Sequence, residues 1–118
     1  MSSAHANEHF PGGRLLNDAV RTALAAEGDD GRTVRKVEHF AYPQGFFSRF
    51  KKPAVAEALA EKGFNIRDAH SAGGLIFSHE VSVSSESFDA LTLELFTLMP
   101  EYNWVYDGWE SIVLRSTE

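Results

Sequence analysis

Leu75-Ile76-Phe77-Ser78-His79-Glu80-Val81-Ser82-Val83 is the stretch that decides the fold. Leu75, Phe77, His79 and Val81 fall on one side of an extended chain, and Ile76, Ser78 and Glu80 on the other. That period of two is the mark of a half-buried β-strand. Immediately upstream, Ser71-Ala72-Gly73-Gly74 has the small, flexible residues of a hairpin loop. Before it, Phe64 to His70 sets Phe64, Ile66 and Asp68 against Asn65, Arg67 and Ala69, so a second strand feeds the hairpin. Downstream, Ser84, Ser85 and Ser87 offer helix N-caps, and Glu86 and Asp89 suit the positive end of a helix dipole. Phe88, Leu91, Leu95, Leu98 and Met99 then carry the apolar stripe of a helix that Pro100 terminates.

Further out, Pro53 is welcome at the first position of another helix. That helix reaches Lys62, turns Val55, Ala58 and Leu59 inward, and is closed by Gly63. A strand from Thr33 to Tyr42 precedes it, rich in β-branched and aromatic residues and stopped by Pro43-Gln44-Gly45. The chain ends with a strand over Trp104 to Leu114, open to interruption at Asp107-Gly108. Near the start, Leu16, Val20, Ala23, Leu24 and Glu27 have helical spacing, the first four giving an apolar stripe. This puts a helix over Leu15 to Glu27, with Gly28 as its left-handed terminator and Asp29-Asp30-Gly31 as a turn. Met1 to Gly13 is polar and reads as a disordered or loosely docked arm. Residues 14–118 thus read as a single α+β domain, a helix followed by a βαββαβ core. Such a core is satisfied by a four-stranded antiparallel sheet in the order 4-1-3-2 with two helices on one face. The additional first helix is expected to cover an edge or part of the open face.

Composition narrows the function. With 118 residues, 43% of them hydrophobic, the chain can bury one core without covalent staples. Cysteine is absent, which excludes disulfides, iron–sulfur clusters and thiol catalysis and fits a reducing cytoplasm. No apolar run approaches the ~18 residues of a membrane helix, and the first thirteen residues have neither the basic start nor the apolar stretch of a signal peptide. The net charge of −6 is uneven: residues 1–67 hold ten Lys/Arg against eight Asp/Glu, and residues 68–118 hold one against nine. A local charge of −8 repels phosphate backbones and attracts a basic partner, although plain solubility also explains it.

The residues that could carry chemistry each have a plain structural role as an alternative. His39 and His79 fall on neighbouring strands and can share a face, with His70, Asp68 and Glu80 as further ligands; their spacing matches no zinc pattern, and packing among aromatics explains them as well. Asp29 with Asp30, and Asp107 with Glu110, are carboxylate pairs, but general acid–base work needs two such groups facing each other across a cleft, and turn formation is the simpler reading. Gly73-Gly74 lacks every phosphate-loop pattern. The stretch Gly74 to His79 lacks the paired aromatics of an RNA-binding sheet, and the charge is of the wrong sign for one. Phe46, Phe47 and Phe50, interleaved with Arg49, Lys51 and Lys52, either form an exposed contact surface or pack beneath the second helix with the cations reaching out to water. The balance favours packing. No cofactor site emerges.

Tyr106-Asp107-Gly108-Trp109-Glu110 is the most specific string in the chain, and Asp107-Gly108 permits the positive φ of a bulge that would reset the side to which Trp109 points. The string resembles the signature near the C-terminus of the regulators of ribonuclease E activity, B type. Gly28-Asp29-Asp30 ahead of a strand ending in His39-Phe40, and Ala58-Leu59 leading to Gly63-Phe64, agree in order and spacing. The resemblance covers about Leu16 to Leu114, with Pro43 to Lys52 more aromatic and basic than the family pattern. It implies a ferredoxin-like sandwich and a non-enzymatic cytoplasmic protein that inhibits ribonuclease E by contact with its scaffold, so modulating RNA decay. Asp29, Asp30, His39, Tyr106, Asp107, Gly108, Trp109 and Glu110 are the family-motif or partner-contact candidates. The alternative is a small-ligand sensor or homodimer that uses the open sheet face, through a concave pocket or an apolar surface around Phe77 and His79.

Overall fold

A computed structural model describes residues 3–5 and 13–114, with side chains from residue 17 onward. The elements run β1 (Ser3–His5), α1 (Gly13–Ala26), β2 (Arg35–Pro43), α2 (Lys52–Glu61), β3 (Asn65–Asp68), β4 (Leu75–Val81), α3 (Glu86–Leu98) and β5 (Trp104–Ile112). A 3-10 turn over Phe47–Lys51 leads into α2, and another over Met99–Tyr102 follows α3 and contains Pro100. The sheet order is β1-β5-β2-β4-β3, every pairing among the described residues being antiparallel. Without β1 this is the expected 4-1-3-2 order of a βαββαβ core.

Ser3–His5, within the segment read as an arm, pairs with Ile112 to Glu110 at the sheet edge. The remainder of that segment, residues 1–2 and 6–12, lies outside the described residues.

The local signals act as the sequence suggests. Ser85 caps α3, its hydroxyl accepting from the Phe88 amide at 3.2 Å. Pro53 stands in the first turn of α2, and Gly28 and Gly63 follow α1 and α2 at positive φ. Gly74 lets the hairpin approach β2: a Cβ there would lie 2.3 Å from a Tyr42 ring carbon and 2.6 Å from the Ala41 carbonyl oxygen.

One face of the sheet is covered by all three helices. Val55 and Leu59 of α2 and Leu95 of α3 pack with Ala41, Leu75, Phe77, Trp104 and Tyr106. Val20 and Leu24 of α1 pack with Val37, Phe88, Trp109 and Val113. So α1 lies in the helix layer beside α3, toward the β5–β1 edge, and does not shield the other face. An amphipathic stripe shows that a helix has a buried side but carries no information about which face of the sheet receives it. Phe77, fully buried, belongs to the helix-covered face with partly exposed His79 beside it, so the apolar face around them expected for a ligand sensor lies under the helices. Among the described residues no helix packs against the opposite face, which presents Glu38, Phe40 and Tyr42 of β2 and Glu80 of β4.

Phe46, Phe47 and Phe50 do not pack beneath α2. They are 63%, 79% and 70% exposed, while Ser48 between them is buried. Helical spacing cannot foresee this, because the buried position is taken by a serine whose hydrogen bonds fix the turn.

Candidate functional site

The five residues Tyr106 to Glu110 sit around a bulge in β5. His39 pairs with Trp109, but Ala41, two residues further on, pairs with Tyr106, three residues back. The extra residue lies at Asp107-Gly108, and Gly108 takes φ 95°. Without it, Tyr106 and Trp109, three apart, would point to opposite faces. With it, both face the helices and both are buried. The acidic members point the other way: Asp107 and Glu110 are half-buried on the helix-free face.

Each buried aromatic of the motif ends in a specific hydrogen bond. The Trp109 indole N–H donates to Asn17 Oδ1 at 2.7 Å, and Asn17 Nδ2 donates to Thr92 Oγ1 at 2.8 Å and Asp89 Oδ1 at 3.0 Å. Arg21 joins this cluster, bonding Asp89 at 2.6 Å and the Val83 carbonyl at 2.6 Å. The motif tryptophan thereby fixes α1 to α3 and β5. Sequence reading missed Asn17, whose signal was a polar residue beside an apolar helical stripe.

Tyr106 points to the other half of the core. Its hydroxyl lies 2.7 Å from His39 Nδ1, and His39 Nε2 lies 2.9 Å from His79 Nε2. A buried O–H that fails to donate is costly, so Tyr106 donates to Nδ1, His39 donates from Nε2, and His79 accepts. His39 stacks on Phe77 and meets Phe64 edge-on. Burial drives its pKa well below 6.5, with the neighbouring His79 acting in the same direction. Burial lowers His79 to about 4. Burial raises the Tyr106 phenol well above 10, reinforced by the Asp107 charge. All three groups are neutral at pH 7. The two histidines do share a face, as expected, but no group of three or more potential metal ligands is gathered among the described residues. Glu80, one of the further ligands considered, pairs with Lys36 and lies on the opposite face.

Asp29 and Asp30 part company. Asp29 is 2% exposed and grips Arg35 in a two-pronged ion pair of 2.6 and 2.8 Å. It also accepts from the Gly31 amide at 2.9 Å and the Leu114 amide at 2.7 Å, tying the turn after α1 to the start of β2 and the end of β5. Hydrogen bonding to Arg35 is the main reason its pKa falls to about 2. Asp30 is exposed and closes a local turn by accepting from the Arg32 amide at 3.0 Å. Of the eight candidates, then, Asp29, His39, Tyr106, Gly108 and Trp109 are interior, and Asp30, Asp107 and Glu110 reach the surface.

On the helix-free face Glu38 stands directly opposite Glu110 on the neighbouring strand. Like charges in that register cost stability. Arg67, 2.8 Å from Glu38, and Lys36, 3.7 Å away, offset part of that cost.

This geometry defines a class: a small α+β protein with a helix-covered core and an acidic sheet face, whose best-marked sequence motif builds its interior with one half and its surface with the other. The family described as regulator of ribonuclease activity B matches residues 16–111, and the chain belongs to that family, one of regulators rather than enzymes. No curated protein matches the chain. No helix among the described residues is long and apolar enough to cross a membrane.

Proposed function

We propose that this protein inhibits ribonuclease E in the cytoplasm by binding the enzyme or its scaffold, slowing RNA decay without chemistry of its own. The observation that carries the reading is the division of the motif: Asp107 and Glu110 emerge on the sheet face left free of helices, joined there by Glu38 and Glu80. Carboxylates projecting from paired strands form a stiff acidic surface, suited to a basic, extended segment of a partner. In this reading Asp107 and Glu110 touch the partner, Asp30 is an outlying contact, and the buried candidates hold the sheet in shape. No protein cofactor is needed.

The test is the rate of RNA cleavage by ribonuclease E with and without the purified protein. Full-length enzyme is expected to slow, with relief in the Asp107→Lys/Glu110→Lys variant, whose melting temperature stays close to that of the parent. Undiminished cleavage at saturating protein and low salt would end the proposal.

A further inference from the structure

The 3-10 turn ahead of α2 is built inside out. Ser48 is buried and held from three sides: its hydroxyl donates to the Gln44 carbonyl at 2.6 Å, Asn103 Nδ2 donates to that hydroxyl at 2.7 Å, and the Trp104 indole donates to its carbonyl at 2.8 Å. Asn103 also donates to the Gln44 carbonyl, and the Gln44 amide to the Asn103 carbonyl, both at 2.9 Å. This clamp holds Phe46, Phe47 and Phe50 outward. Their rings touch one another, at centroid distances of 5.4, 6.1 and 6.5 Å. Three rings so exposed present roughly 400 Å² of apolar surface, the size of the largest, usually functional, patch on a monomer.

The cations around the rings are also unusual. Arg21, Arg32, Arg35, Lys36, Lys52, Lys62 and Arg67 each have a carboxylate within 4.0 Å. Arg49 and Lys51 have none among the described residues. Arg49 instead lies over the Phe46 ring, 5.7 Å from its centroid. An apolar knob flanked by two uncompensated positive charges is therefore held rigidly on the surface.

We propose that this knob is a membrane-docking tip, which seats the protein on an anionic bilayer with the three phenylalanines at the acyl boundary and Arg49 and Lys51 among the headgroups. Rings this exposed cannot line a groove that receives a peptide. The hydroxyl and carbonyl of Ser48 and the backbone amide and carbonyl of Gln44 are engaged within the clamp, leaving the turn's backbone little for directional recognition by a protein. Because the rings pack on one another and Arg49 covers Phe46, they do not form the open stacking platform that single-stranded RNA requires. Interfacial binding asks only for apolar area plus cations, and both are present. Most of the acidic face lies away from it. Glu38, Glu80 and Glu110 lie five or six residues along their strands from the end that carries the tip, about 17 Å at strand rise and beyond the screening length of about 8 Å. Nearer the tip, Lys52 lies 2.8 Å from Asp68, and the opposing charges are exposed Glu101 and Asp107, which is three residues, about 10 Å, along β5 from Trp104.

Co-sedimentation with phosphatidylcholine vesicles, plain or with about one third phosphatidylglycerol, tests this. The full chain should bind the mixed vesicles more tightly than the plain ones. Phe46→Ser/Phe47→Ser/Phe50→Ser should weaken binding at least about a hundredfold with its melting temperature unchanged, since the rings support no core. Arg49→Gln/Lys51→Gln should abolish the preference for the anionic lipid while keeping weak apolar binding. A Phe47→Trp variant should shift its emission to the blue on the vesicles. Wild-type protein that ignores both vesicle types, or a triple serine variant that binds as well as wild type, overturns the proposal. If the serine variant instead loses binding to ribonuclease E while wild type leaves vesicles alone, the knob is a protein contact and the lipid assignment is wrong. The vesicle result does not depend on the nuclease reading, so either can fail without the other.

Discussion

At the scale of single residues, pH separates two kinds of buried group. Asp29 has a folded pKa of about 2 against 3.8 when free. Its stabilisation of about 2 kcal/mol is complete above pH 3.8 and is lost as pH falls toward 2. His79 works in the same sense at higher pH, since its folded pKa of about 4 lies below 6.5 and the unfolded chain takes the proton first. The fold is unpenalised above pH 6.5 and loses stability as pH falls toward 4, by up to about 1.4 kcal/mol per pH unit for each such histidine. His39, buried more deeply, adds to the same limb. Chemical denaturation across pH should therefore show a decline beginning near 6.5 and a second below 3.8. Asp29→Asn should cost about 3 kcal/mol at pH 7, because it leaves the Arg35 guanidinium, 1% exposed, without its counter-charge. It should also erase the second decline and spare the first. A variant that keeps both would show that the Asp29 grip on Arg35 does not set the acid limit.

At the scale of elements, β5 shows what a sequence can and cannot reveal. The Asp-Gly pair disclosed its bulge because few residues but glycine accept the positive φ that an extra residue demands. Gly108→Val forces a β-branched side chain into φ 95° and should cost about 1–3 kcal/mol, with Trp109 emission shifting to the red as α1 loosens. Unchanged stability and emission would mean that the bulge is not what orients Trp109. The strands and helices were legible for the same kind of reason: alternation at Leu75 to Val81, a serine cap before α3, glycines after α1 and α2. Three features were not. The side of the sheet chosen by α1 depends on Asn17 meeting Trp109 and Asp89 across more than seventy residues, and no local pattern encodes that. The Phe46 to Phe50 turn inverts the rule that apolar residues go inside, because Ser48 rather than a ring satisfies Gln44, Asn103 and Trp104. The pairing of Ser3–His5 with β5 is too short to leave a periodic signal. For the site, alternation brought His39 and His79 together on paper, whereas the separation of buried Asp29 from exposed Asp30 rests on an arginine six residues away.

At the scale of the whole molecule, the uneven charge sets how a partner arrives more than how tightly it stays. Residues 68–118 hold nine acidic side chains against one basic. Asp89 lies 2.6 Å from Arg21 and Glu94 2.7 Å from Lys62, and Glu80, Asp107 and Glu110 on the sheet face add to the field that steers a basic segment. Fields of this kind act over about one screening length, which shrinks from about 14 Å at 0.05 M salt to about 4 Å at 0.5 M. Contacts made after docking are too close for salt to screen as strongly. Raising salt across that range should therefore slow association with ribonuclease E by about tenfold or more while changing dissociation far less. Asp107→Asn/Glu110→Gln should flatten the salt dependence of the association rate without altering the fold, since neither side chain belongs to the core. Stopped-flow or surface-binding kinetics at four or more salt concentrations gives the slope directly. An association rate indifferent to salt, or a variant with the parent's slope, would move the contact away from the acidic face.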